Sequence, residues 1–120
     1  SVRMEQLQPR PTPPIEISNA EKAANEGASL VAARKVLSVF PQIRSATAGH
    51  DPLETRALRV LAVSIARSES AVQPGWSRFA DLSWAEQAMR EIDAKRPNDP
   101  SVQADLGEVL SRIPTKRDEA

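Results

Sequence analysis

Between Pro52 and Ser68 the chain sets Leu53, Ala57, Leu58, Val60, Leu61, Ala62 and Ile65 around more than half of a helical circumference. Only a narrow polar strip is left, so this helix has no side broad enough to face water and needs neighbours on more than one flank. The segment is therefore predicted to be the central helix of an all-α domain, and the rest of the sequence must supply the helices that enclose it. A chain of 120 residues suits one domain with a modest core. Aromatic side chains make up only 3% of it, so that core is expected to be built from alanine, leucine, valine and isoleucine.

The helix-start signals agree with this reading. Ser18-Asn19-Ala20-Glu21 and Ser83-Trp84-Ala85-Glu86 match the capping box, in which a serine oxygen accepts from the third helical N–H and the glutamate reaches back to the cap. Asp51-Pro52 and Asp99-Pro100 place a carboxylate cap before proline at the first helical position, where the missing N–H costs nothing. Val102, Leu106, Val109, Leu110 and Ile113 form an apolar stripe at spacings of three and four, and Trp84, Ala85, Ala88, Met89 and Ile92 form another. Four antiparallel helices are expected, near residues 19–40, 52–69, 83–96 and 100–113, with Leu61 and Leu106 in the core. Gly27 falls inside the first of them, where a glycine implies a bend or the close approach of another backbone.

Residues 1–17 carry Pro9, Pro11, Pro13 and Pro14 with little apolar periodicity, which predicts an extended, polyproline-like arm. Such an arm serves as a spacer or as a ligand for a proline-recognising groove. The helical domain is expected over 18–114, followed by a charged tail over 115–120.

The sequence holds few of the groups that chemistry needs. Sixteen basic and sixteen acidic side chains leave no net charge, which argues against a generic nucleic-acid partner. No apolar run approaches the length that spans a bilayer, so no direct membrane insertion is expected of this segment. The absence of cysteine excludes disulfides, thiolate metal sites and a thiol nucleophile. His50, the single histidine, stands beside Asp51 in a turn, as a base oriented by that carboxylate or as a polar turn residue. No catalytic motif, phosphate loop or metal-ligand spacing is present, and the expectation is a non-enzyme without metal or cofactor.

A repeat pattern does emerge. Gln103, Leu106-Gly107 and Leu110, and again Leu58, Leu61-Ala62 and Ile65, share one spacing, while Ala85, Met89 and Pro97 share the spacing of a following helix. Over roughly Asp51 to Ile113 the chain resembles a degenerate tetratricopeptide-repeat protein. The signature aromatics are replaced by Gln103, Leu58, Leu110 and Ile65, and about eleven residues are inserted between Ser68 and Leu82. The resemblance implies antiparallel helical hairpins stacked as a short array; a small four-helix bundle is the alternative architecture.

The function implied is a protein–protein interaction module or scaffold that takes a peptide or partner helix, acidic in one version, in a concave groove. The resemblance places Arg56, Arg59, Val63 and Arg67 in that groove, with Glu108 and Arg112 from the next hairpin; the chain lacks the asparagines of the family's carboxylate-clamp members. Arg56, Arg59 and Arg67 also fall on one helical strip by spacing alone, which suits bidentate contacts to carboxylates or an ordinary solvated face. Trp76 and Phe79 lie in the insertion, as a binding element or as an apolar plug over the hairpin end. The competing function is a structural domain, tethered by the proline-rich arm to a membrane or larger assembly and pairing with a second copy.

Overall fold

The computed structural model describes residues 12–41, 43, 52–68, 75 and 77–113. The described residues form five α-helices: α1, Pro13–Asn25; α2, Ser29–Val39; α3, Pro52–Arg67; α4, Arg78–Lys95; and α5, Pro100–Ser111. The fold is all-α, with no strand among the described residues. Helix α3 touches all four others, while α1 pairs with α2 and α4 with α5. This is an arrangement of stacked hairpins around one central helix.

The centre is the helix the sequence singled out. In α3, Ala57, Leu58 and every residue from Val60 to Ala66 are buried, and Leu61 and Ile65 are fully enclosed. Ile17 from α1, Val36 from α2, Met89 from α4 and Val102 and Val109 from α5 complete the largest enclosed side chains of the core. Leu106, expected in the core, packs against it from a half-buried position.

The first expected helix is two helices. Gly27 takes φ +87° and stops α1, with its own N–H donating to the Ala24 carbonyl (3.1 Å) and the Ala28 N–H donating to Ala23 (2.8 Å). These two bonds are those of a Schellman motif, whose left-handed position favours a residue without a Cβ. The glycine is therefore a stop signal and not an interior residue. Lys35 of α2 pairs with Glu16 of α1 at 3.3 Å across the resulting hairpin.

Residues 13–17, expected in the arm, belong to a helix instead. Pro13 and Pro14 occupy the first turn of α1, whose N–H groups have no intrahelical acceptor, and Ile17 is fully buried. Residues 1–11 and the tail 115–120 lie outside the described residues.

Both expected capping boxes fall inside helices, because each helix begins upstream of its serine. Ser18 and Glu21 are within α1, and Ser83 and Glu86 are within α4. Ser77 is the true cap of α4, its hydroxyl accepting from the Ala80 N–H at 3.0 Å. Asp99 caps α5 as its position before Pro100 implies, accepting from the N–H groups of Ser101 (3.0 Å) and Val102 (3.4 Å). Those bonds, led by the one from the Ser101 side chain, hold the Asp99 carboxyl below its ordinary pKa.

Candidate functional site

One face of the domain is shared by α1, α3 and α5. Along α3, Arg56, Arg59, Val60, Val63 and Arg67 recur at helical spacing and turn toward that face. They border a cavity of about 360 Å³, whose other walls are Glu21, Ala24 and Asn25 from α1 and Asp105 from α5. The structure thus brings together four of the sequence-derived site residues, Arg56, Arg59, Val63 and Arg67.

Each arginine is held by a carboxylate from a neighbouring helix. Arg56 forks onto Glu21, with Nε donating at 3.1 Å and Nη2 at 2.5 Å. Arg59 donates from Nε to Asp105 at 3.0 Å and from Nη2 to the Ser101 hydroxyl at 3.0 Å. Arg67 forks onto Glu108 at 2.6 and 3.0 Å, and its Nη1 reaches the Ala24 carbonyl at 3.3 Å. Helix α3 is therefore stitched to α1 on one flank and to α5 on the other, and the strip is a balanced ladder of ion pairs. An acidic ligand entering here meets three cations already answered by three carboxylates.

The electrostatics follow the geometry. Hydrogen bonding to Glu21 raises the Arg56 pKa, and hydrogen bonding to Glu108 raises that of Arg67. Asp105 shifts up from the ordinary carboxylate value because burial outweighs the attraction of Arg59. The cavity offers fixed hydrogen-bond donors and acceptors of both signs above the apolar patch of Val60 and Val63, and among the described residues its lining holds no imidazole, thiol or hydroxyl.

Arg112, Phe79 and Trp76 do not join this set. Arg112 is exposed past the end of α5 and lies near Arg78, whose pKa is lowered by burial, with the charge of Arg112 acting in the same direction. Phe79 sits on the first turn of α4 with 78% of its surface exposed, so it neither lines the cavity nor plugs the core. Trp76, His50 and Asp51 lie outside the described residues.

Sequence reasoning missed Glu21 and Asp105 as walls of the groove. Their partners on α3 are 35 and 46 residues away, and no local pattern announces such a pairing. It also missed Arg78, whose guanidinium donates to the carbonyls of Ile65 and Ala66 and so caps the C-terminal end of α3 from the following helix.

Among the described residues no helix is long and apolar enough to cross a membrane. Comparison with protein-family models, with characterised proteins and with solved structures finds no match to this chain.

Proposed function

We propose that this chain is a non-catalytic protein-interaction module whose face of α1, α3 and α5 receives a peptide segment or a partner helix. On this reading α1–α2 and α3–α4 are two hairpins of a degenerate tetratricopeptide-like array, and α5 is the first helix of a third. The observation that carries the reading is the cavity of about 360 Å³, bounded by charged side chains whose positions are fixed before any ligand arrives. Preorganisation of that kind reduces the ordering cost of binding.

The ion pairs also narrow the ligand. A purely acidic segment would have to displace Glu21, Asp105 and Glu108 from their arginines. A segment bearing both a carboxylate and a cation extends the ladder without displacing anything, so the groove favours mixed charge over the acidic peptide that the bare arginine strip suggests.

A library of short peptides screened against the chain tests this, with the binders mapped by amide chemical shifts. Binders should shift signals along α1, α3 and α5. Exchanging the pair, Arg59→Asp together with Asp105→Arg, keeps an ion pair while inverting its polarity. It should preserve helical content and abolish binding; a swapped variant that binds its peptides as before sinks the reading.

A further inference from the structure

We propose that a second docking site lies between the start of α3 and the end of α4, and that it takes an acidic peptide segment carrying one branched aliphatic side chain. It is distinct from the groove. Leu58, which lines it, is two residues from Arg56 and so about 200° around the helix from the arginine strip. The pocket measures about 150 Å³. Leu58, Ala88 and Ile92, all buried residues of the core, form its floor. A pocket of this size matches a single side chain and not an extended ligand.

Charge decides the occupant. Lys95 and Arg96 stand on the rim, both exposed, and neither has a carboxylate partner among the described residues. Among the described residues Glu91 is the one acid on the same rim, and it forms an ion pair with neither of them. In the groove every arginine is answered by a carboxylate; here two adjacent cations border an apolar hole, and no carboxylate among the described residues answers them. The complementary ligand places an aliphatic anchor in the hole and acidic side chains beside it. Anchors of that kind in small desolvated pockets carry much of the energy of an interface, while the flanking charges set specificity and association rate.

Three blocked pentapeptides titrated into the isotope-labelled chain provide the test, followed by amide chemical shifts. The first has a central leucine with two glutamates on each side; the second replaces leucine by alanine; the third replaces the glutamates by lysines. The leucine–glutamate peptide should shift the signals of Leu58, Ala88 and Ile92 and leave those of Asn25 and Val63 in place. Replacing leucine by alanine, or reversing charge with Lys95→Glu and Arg96→Glu, should weaken binding by about tenfold or more, a difference of 1.4 kcal/mol. Should the double reversal lower helical content, Lys95→Gln with Arg96→Gln should give intermediate affinity on an intact fold. Equal binding of the lysine peptide, unchanged binding by the charge variants, shifts confined to the groove, or no shift at millimolar peptide would each overturn the proposal. So would concentration-dependent shifts of the same signals in the protein alone, which would make a second copy the occupant.

Discussion

Two faces of the domain present cations and treat them in opposite ways: one is a face of α3, the other lies where α4 ends against α3. On the groove face Arg56, Arg59 and Arg67 are each fixed by a carboxylate from α1 or α5. On the α4 side, Lys95 and Arg96 border an apolar pocket with no such partner among the described residues. The difference teaches that a strip of arginines in a sequence does not by itself measure how much positive charge a ligand will meet. What a ligand meets depends on which acids the fold brings alongside, and those acids come from elsewhere in the chain.

The contrast can be stressed first through what both faces share. Leu61 is fully buried in α3, the helix that contributes residues to both the groove and the pocket. Leu61→Ala should cost about 2–5 kcal/mol in denaturant unfolding, with both faces losing their order together. Survival of one face while the other melts would mean that they do not rest on a common core.

The next largest effect separates them. Gly27 holds a left-handed conformation that ends α1, and α1 supplies Glu21 and Asn25 to the groove but nothing to the pocket. Gly27→Ala meets no neighbouring atom, so its cost is that of the backbone alone, about 1–2 kcal/mol. Amide shifts should change in α1 and along the arginine strip and stay fixed at Ala88 and Ile92.

Smaller still are the charges themselves. Glu108→Gln breaks the fork that holds Arg67, a partly exposed pair, and should cost about 1 kcal/mol or less. Lys95→Ala, which breaks no pair among the described residues, should change stability by no more than about 0.5 kcal/mol. If Lys95→Ala proves the more costly of the two, the pocket cations are partnered after all and the contrast is lost.

The smallest signal is in acid, and two carboxyls should show it with opposite sign. The folded pKa of Asp105 is raised by burial, so the native state holds its proton more tightly than the unfolded chain. Stability from this group therefore grows as the pH falls from above its raised folded value toward the ordinary carboxylate value, and Arg59 is released as it protonates. The folded pKa of Asp99 is lowered by its capping bonds, so its contribution is present above the ordinary value and lost as the pH falls through the folded one. Carboxyl titrations followed by NMR should place Asp105 above and Asp99 below the ordinary aspartate. The groove should loosen in mild acid while the pocket cations stay charged.

The parts of this fold that were legible in the sequence are those fixed by local physics. The apolar girth of α3 declared a central helix, and Asp99-Pro100 declared the start of α5, because periodicity and capping act within a few residues. Gly27 was visible but ambiguous, since the same residue bends a helix or ends one, and only the bonds from Gly27 and Ala28 back to α1 decide between them. Ser18 and Ser83 were misleading because a serine three residues before a glutamate caps a helix only if no turn precedes it. Pro13-Pro14 and Ser77 supplied that earlier turn. The arginine strip was legible as a strip. Its neutralisation was not, since Glu21, Asp105 and Glu108 meet α3 only once the helices have packed.

Arg78 gives the hairpin of α3 and α4 its cooperativity. A helix that ends alone leaves its last carbonyls to water, and here two of them, at Ile65 and Ala66, are bound by a side chain that reaches them only when α4 has begun. The end of α3 and the start of α4 therefore stabilise each other: either one formed without its partner lacks part of its support. Local opening is accordingly expected to release the last turn of α3 and the first turn of α4 as one unit, which amide hydrogen exchange would show as shared protection.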